Sequence, residues 1–420
     1  MSIWRRIREH PLARVGPGLI TGVADDDPSG IATYSQAGAQ FGLNILWTMP
    51  LAYPLMAAVQ VICARIGRVT GKGLAANIKA SFPPIVLQSV VALLLVANTL
   101  NIAADVAAMG EVSELVTGLN RHAMTLVFVL LSTGLQVLVP YHRYVKFLKW
   151  LTLSLLAYAA VLFTVHVPWG EVALRTVLPH IAFNADTATV VVGVFGTTIS
   201  PYLFFWQASE EVEDMARNKG AKALTIDPGP AKAELRRLTW DTWTGMFYSD
   251  LSAYFIILAT AVTLHTSGIT TIQTAADAAN ALRPLAGDFA FLLFACGILG
   301  VGLIGVPVLA GSGAYAMAEA MGWAWGLEQK LARARGFYAV IIISMLAGLG
   351  IQYSPIDPMR ALFWSAVING VVAVPLMVVV ILTAGRRSVM GDFTETRLVR
   401  GLAWVAVAVM TVSALLMLLP

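Results

Sequence analysis

The chain has 420 residues, of which 58% are hydrophobic and only 12% are charged, and its formal net charge is +4. A water-soluble globular domain carries about 25% charged residues, so this chain has too few to cover a soluble surface. The composition excludes a soluble enzyme, a secreted scaffold and a disordered protein, and it indicates a chain whose main solvent is lipid. The two cysteines, Cys63 and Cys296, lie in apolar stretches and predict neither a disulfide framework nor a cysteine metal site.

Apolar stretches long enough to cross a bilayer as helices occur eleven times along the chain. Their hydrophobicity lacks the alternation of barrel strands, so we predict an all-α integral membrane protein. The predicted spans are 16–40, 44–66, 84–109, 122–140, 147–167, 188–209, 243–265, 286–320, 337–352, 360–384 and 399–419. The longest polar loop is too short for a separate soluble domain, so we predict a single transmembrane domain.

The lysines and arginines predict which side of the membrane each loop faces. With the N-terminus in the cytoplasm, 24 of the 28 basic residues fall in inner loops, and four fall outside: Arg121, Arg175, Arg283 and Arg360. Such a bias is typical of membrane proteins. We therefore predict a multi-pass protein of the inner (cytoplasmic) membrane, with a cytoplasmic N-terminus and an external C-terminus. The basic loops could alternatively bind nucleic acid, but the orientation rule explains every cluster, and we expect no nucleic-acid partner.

Two spans contain polar and helix-breaking residues near the middle of the membrane. In span 1 these are residues 25–30, which include three aspartates and Pro28, and in span 6 they are residues 196–202, which include Pro201. Unwound backbone at this depth is tolerated only where it is buried in protein or lines a cavity, and its carbonyls can coordinate a cation. Either proline alone would favour an ordinary kink, whereas the paired breaks with an aspartate favour an ion site.

Breaks in spans 1 and 6 are expected when a chain contains two five-helix halves of inverted topology. The predicted repeats are about 14–167 and about 186–385, and an extra helix follows at about 399–419.

Several short segments carry a family resemblance: residues 27–33, 36–42 and 46–47 in and after span 1, residues 71–75 after span 2, and residues 241–246 at the start of span 7. These segments resemble the corresponding parts of the NRAMP divalent-metal transporters, and the resemblance covers spans 1 to 10. It implies a LeuT-like (APC) fold with helices 1 and 6 broken, and a divalent cation as the transported substrate.

The departures from the family pattern fall at the two breaks. The helix 1 signature Asp-Pro-Gly-Asn ends here in Ser29 and Gly30, and the helix 6 signature Met-Pro-His reads Ser-Pro-Tyr at 200–202. One turn before the helix 6 break, the family has an alanine whose backbone carbonyl faces the ion, and this chain has Thr197 at that position. A methionine sulfur favours soft ions, whereas oxygen ligands favour hard ions, and Mg²⁺ tends to keep several waters in a wide site. The chain is therefore most similar to the NRAMP-related magnesium transporter branch.

We predict a metal site with Asp27 as the anionic ligand. The full predicted set is Asp27, Ser29, Gly30, Thr197, Ser200 and Tyr202. The expected partners are divalent metal ions, Mg²⁺ or Mn²⁺, and the lipid bilayer, with no further cofactor and no catalytic residues. We expect the protein to act as a monomer.

Proton movement in the family depends on an aspartate and a glutamate of helix 3, and here these positions are Asp105 and Ala108. Tyr202 replaces the family histidine, and a tyrosine side chain ordinarily has a pKa of about 10. We therefore predict uncoupled uptake, in which two inward charges gain about 4.6 kcal/mol per 100 mV. The alternative is a proton-coupled Mn²⁺/Fe²⁺ importer of the ordinary NRAMP type.

Two further functions have less support in the sequence. An amino-acid transporter on the same fold is disfavoured because Asp27 would repel a substrate carboxylate. A membrane-embedded enzyme would need a nucleophile–base pair or a histidine-rich metal site, and the sequence offers neither within the bundle.

Two acidic groups have open roles. Asp25 and Asp26 fit either a cation-attracting vestibule or solvation at a helix end. The polar residues after the second break fit either the inner exit or simple solvation: Gln207, Glu210, Glu211, Glu213 and Asp214.

Overall fold

The computed structural model describes residues 17–139, 154–180, 184–218, 220–351 and 357–418. These residues form helices and connecting turns, and they contain no strand. The predicted basic N-terminal tail, the first half of predicted span 5 with its basic inner loop, and Lys219 lie outside the described residues.

The first half of the chain begins with a helix that is split in two. The helices are α1 (Pro17–Asp25), α2 (Pro28–Phe41), α3 (Thr48–Thr70), α4 (Leu74–Ser81), α5 (Pro84–Thr117), α6 (Arg121–Leu138), α7 (Leu156–Val161) and α8 (Trp169–Val177). The second half begins the same way, with α9 (Ala185–Thr198), α10 (Pro201–Arg217), α11 (Ala231–Thr263), α12 (Ala275–Ala279), α13 (Arg283–Ala286), α14 (Ala290–Met321), α15 (Arg335–Ile351), α16 (Pro358–Ala384), α17 (Arg387–Met390) and α18 (Arg397–Met417).

Eight segments of the described chain are long and apolar enough to cross a membrane, and the shorter apolar helix at Arg335–Gly350 matches predicted span 9. Predicted span 1 is not among the eight, because any window long enough to cross the membrane contains the three aspartates Asp25, Asp26 and Asp27 at the break. Predicted span 5 is not among them either, because only its second part is described, and that part includes α7. The chain is thus a multi-pass membrane protein.

The broken helices lie at the centre of the bundle. Helix α1 packs on α11, α2 packs on α11 and α16, and α9 packs on α16, while α5 contacts both α14 and α16. In the most apolar window of the α9–α10 segment 94% of residues are buried, against 22% in α18. The breaks are therefore enclosed by protein, as unwound backbone at membrane depth requires.

Glycines bring the central helices into backbone contact. A Cβ atom added to Gly196 of α9 would lie 2.1 Å from the carbonyl oxygen of Ala366 in α16. A Cβ atom added to Gly22 of α1 would lie 2.1 Å from the carbonyl oxygen of Gly245 in α11. Small residues allow this close approach in membranes, where packing replaces much of the hydrophobic driving force between helices.

We expect Gly196→Ala to destabilise the protein by about 1–3 kcal/mol or more, because the new methyl group would overlap a backbone carbonyl. The matched control is Gly134→Ala in α6, where no atom lies within 4 Å of the added Cβ. That change should be neutral or stabilise the helix by up to about 1 kcal/mol. Thermal unfolding of both purified variants in detergent measures the difference, and equal unfolding temperatures would contradict the packing assignment.

Candidate cation site at the helix breaks

The first break is built around Asp27, which caps α2. Asp27 has an extended backbone (φ −85°, ψ 173°) directly before Pro28, as expected for a residue that precedes a proline. Its Oδ1 atom accepts hydrogen bonds from the Gly30 amide at 2.8 Å and from the Ser29 hydroxyl at 2.7 Å. The carboxylate therefore satisfies the start of α2 and lies between the two half-helices.

The second break also has its N-cap residue, Ser200, directly before a proline, Pro201, but the Ser200 side chain does not cap the helix. The Ser200 hydroxyl donates to the carbonyl oxygens of Thr197 at 2.7 Å and Gly196 at 2.9 Å. Its oxygen lone pairs thus stay available to an ion while its proton is used in the break. Both predicted helix interruptions are present at the positions that the sequence indicated.

The two breaks face each other across a short gap. The Tyr202 hydroxyl donates to the Ala24 carbonyl at 3.2 Å and lies 3.4 Å from Asp27 Oδ2. A Cβ atom added to Gly30 would lie 3.2 Å from Thr197 Oγ1, and that hydroxyl has no hydrogen bond to any described residue. All six predicted site residues are buried in this region. Gly30 leaves room where a larger residue would contact Thr197.

Sequence reasoning missed one residue that contacts Asp27. Asn101 of α5 donates its amide to Asp27 Oδ2 at 2.9 Å, and the Ser365 hydroxyl of α16 donates to Asn101 Oδ1 at 2.6 Å. Asn101 lies four residues before Asp105, so the two share a helix face, and that spacing was the available signal. Asp105 is fully buried and close enough to Asp27 to interact with it electrostatically.

The donor set at the breaks consists of oxygen atoms. Asp27 supplies the one carboxylate at the meeting point, and hydroxyls and backbone carbonyls supply the rest. Within the described ranges, no three His, Cys, Asp or Glu side chains converge in an arrangement that could hold a metal. The arrangement therefore offers hard ligands with a single carboxylate, Asp27, in contact with both breaks, which suits an ion that retains part of its hydration shell.

Burial contradicts the solvation interpretation for Asp25 and Asp26 and for most of the polar residues after the second break, whereas Asp214 stays partly exposed. Asp25 and Asp26 are 0% and 2% exposed. On α10, the Glu211 carboxylate pairs with Arg237 of α11 at 2.8 Å, and Glu213 accepts a hydrogen bond from the Tyr315 hydroxyl at 2.5 Å. These side chains are enclosed because the ends of α1 and α10 are packed inside the bundle.

We expect Asn101→Ala to weaken cation binding about tenfold, because a hydrogen bond to a charged group contributes about 1.5–3 kcal/mol. Ser365→Ala should have a smaller effect, since Ser365 acts on Asp27 only through Asn101. The control is Asn218→Ala at the exposed end of α10, which should bind normally. Calorimetric titration of the purified protein with Mg²⁺ and Mn²⁺ measures the affinities, and an unchanged affinity in Asn101→Ala would contradict this role.

The fold resembles two solved transporters. The manganese transporter of Eremococcus coleocola aligns with a TM-score of 0.74 at 18% identity, covering 99% of this chain and 87% of that one. Mhp1, a nucleobase-cation-symport-1 family transporter, aligns with a TM-score of 0.60 at 15% identity, covering 96% and 91%. These likenesses, with the broken first and sixth spans, confirm the predicted LeuT-like fold.

Sequence comparisons extend over nearly the whole chain. A protein named divalent metal cation transporter MntH from Klebsiella pneumoniae subsp. pneumoniae is 28% identical over 418 residues, covering 96% of this chain and 93% of that protein. The protein of the same name from Acidiphilium cryptum is 26% identical over 422 residues, covering 96% and 87%. The family model described as natural resistance-associated macrophage protein-like matches residues 18–420. The chain therefore belongs to the Nramp family.

Proposed function

We propose that this protein imports divalent cations across the cytoplasmic membrane by alternating access, and that the ion binds between the two helix breaks. The observation that carries this proposal is the contact between the breaks, where the Asp27 carboxylate and the Tyr202 hydroxyl meet inside the bundle. Relatives named as divalent metal cation transporters support the substrate class. Asp27 is the anionic ligand, and Ser29, Gly30, Thr197, Ser200 and Tyr202 form the rest of the site.

The preferred ion is Mg²⁺, with Mn²⁺ as a second substrate. Support comes from Ser200, which supplies oxygen at the position of the family methionine, and from the unpartnered Thr197 hydroxyl beside Gly30. A site without sulfur offers no advantage to soft ions, and a site with one carboxylate does not require complete dehydration of the ion. The manganese transporter of Eremococcus coleocola shares the fold at 18% identity, which is too distant to transfer its ion to this chain.

The two breaks suggest how access alternates. We propose inverted repeats over about 14–167 and about 186–385, each beginning with a broken helix, with the helix at about 399–419 outside the repeat. Rocking of one repeat against the other would expose the site to each side in turn. With the N-terminus in the cytoplasm, the membrane potential drives the cation inward. The protein would act as a monomer, because the site lies within one chain.

Uncoupled transport is the preferred mechanism, since Ala108 replaces an acidic residue of the family and Tyr202 replaces a histidine. One observation favours the second candidate, proton-coupled import of Mn²⁺ or Fe²⁺. Asp105 is fully buried beside Asp27 and could take up a proton when an ion leaves. The two candidates differ in whether the vesicle lumen acidifies during uptake.

Reconstitution into liposomes tests the function. With Mg²⁺, Mn²⁺ or Ca²⁺ outside and a pH-sensitive dye inside, we expect uptake of Mg²⁺ and Mn²⁺ without acidification, faster at a negative internal potential. Asp27→Ala should abolish uptake, whereas Asp288→Asn, at an exposed carboxylate, should leave it unchanged. Uptake of Mn²⁺ with acidification and without Mg²⁺ would overturn the preferred mechanism in favour of the second candidate.

Ion selectivity should depend on Ser200. We expect Ser200→Met to raise the ratio of Mn²⁺ to Mg²⁺ uptake about tenfold, because a thioether is a soft ligand and a poor partner for Mg²⁺. The matched control, Ser200→Ala, removes the hydroxyl without adding sulfur and should slow both ions similarly. Equal uptake ratios in the two variants would show that this position does not select the ion.

A further inference from the structure

A second pair of carboxylates lies beside the first break and takes no part in the site described above. Asp25 ends α1, and Asp26 lies in the break itself, two residues and one residue before Asp27. Both side chains are buried, and both contact one hydroxyl of α11: Ser249 Oγ lies 2.6 Å from Asp25 Oδ2 and 3.0 Å from Asp26 Oδ1. Ser249 therefore holds the two carboxylates close together.

The hydrogens at this contact do not suffice for two carboxylates. Ser249 has one hydroxyl proton for two carboxylates and can serve both only as a shared, bifurcated hydrogen bond. The remaining oxygens, Asp25 Oδ1 and Asp26 Oδ2, have no hydrogen bond of normal geometry to any described residue, although the Ser252 hydroxyl, which donates to the Tyr248 carbonyl at 3.0 Å, also lies near Asp26. Two adjacent buried carboxylates with open acceptor positions are stabilised by a proton or by a bound cation, and a divalent cation can serve both at once.

A third acidic side chain, far from Asp25 and Asp26 in sequence, lies near the same pair of carboxylates. Asp250 of α11 is 8% exposed, its Oδ1 atom has no hydrogen bond to any described residue, and it interacts electrostatically with both Asp25 and Asp26. Among the described groups that act most strongly on these carboxylates, none is a lysine, an arginine or a histidine. Three buried acidic side chains thus lie near one another, and none of the groups that act most strongly on them is basic.

We propose that Asp25, Asp26 and Ser249 form a second binding site for the transported divalent cation, next to the Asp27 site on the inner half of helix 1, with Asp250 adding negative field. The inference rests on the proposed function for the identity of the ion and adds a second position to it. The ligands are again oxygens, and two carboxylates match the way proteins usually bind Mg²⁺.

The second site has a direct consequence for release. The Asp27 amide donates to the Asp25 carbonyl at 3.0 Å, so the two sites are joined by a single tight turn. An ion that leaves Asp27 toward the cytoplasm meets Asp25 and Asp26 before it meets the basic inner loops. Two divalent ions in adjacent sites repel each other, so occupancy of one site lowers the affinity of the other.

Binding stoichiometry tests the inference with the purified full chain in detergent and with Mn²⁺ and Mg²⁺ as the probes. We expect two bound ions per wild-type chain, one per chain in Asp27→Asn, and one per chain in the double variant Asp25→Asn/Asp26→Asn. Ser249→Ala keeps both carboxylates and should weaken only one of the two binding steps, by about fivefold or more. Asp288→Asn serves as the exposed-carboxylate control and should bind two ions.

The outcomes separate the two proposals. One ion per wild-type chain, lost in Asp27→Asn and kept in the double variant, would overturn the second site and leave the proposed function intact. Absence of binding in the wild type, together with absence of uptake in liposomes, would overturn the proposed function itself. If the double variant does not fold, Ser249→Ala decides, because two unchanged binding steps in that variant would exclude a site at Ser249.

Discussion

The central interaction of this protein is the cap that Asp27 places on a helix that starts inside the membrane. Lipid supplies no hydrogen-bond partners, so a helix can begin at this depth only if its first amide groups are satisfied by protein. Asp27 provides that partner for the Gly30 amide and also accepts a hydrogen bond from the Ser29 hydroxyl. The same carboxylate is thereby held, ionisable and enclosed, at the point where a cation could neutralise it. The requirement for a cap and the requirement for an anionic ligand are met by one residue.

The surroundings of Asp27 follow from this constraint. Its second oxygen is held by Asn101 and approached by Tyr202, so elements from α5 and α10 converge on it. A Cβ atom added to Gly305 of α14 would lie 2.9 Å from the Asp27 Cβ, so this face of the aspartate is covered by bare helix backbone. Each neighbour either donates a hydrogen bond to the carboxylate or is small enough to let a helix approach it.

The breaks were predictable from sequence because their causes are local: a proline, its preceding residue and nearby polar side chains determine where each helix stops. The contacts that complete the site were not, because they depend on how distant helices align. Asn101 is one of several polar residues in an apolar span, and although its spacing from Asp105 places both on one helix face, the sequence does not indicate which helix that face meets. Ser249 likewise faces Asp25 only because α1 and α11 pack side by side. The roles of the acidic residues could be narrowed to two interpretations, and the burial of Asp25, Asp26, Glu210, Glu211 and Glu213 argues against simple solvation of these side chains.

The backbone contact between Gly22 and Gly245 limits how α1, the first half of the broken helix, can move. The backbones of α1 and α11 touch there without intervening side chains, so separating the two helices would expose peptide groups as well as apolar surface. Hydrocarbon cannot solvate those groups, and water can. Helix α1 is therefore free to travel together with α11 or to separate from it into a water-filled cleft, but it cannot swing outward directly into the bilayer. Any opening between α1 and α11 must therefore let water in as well as rotate the helices.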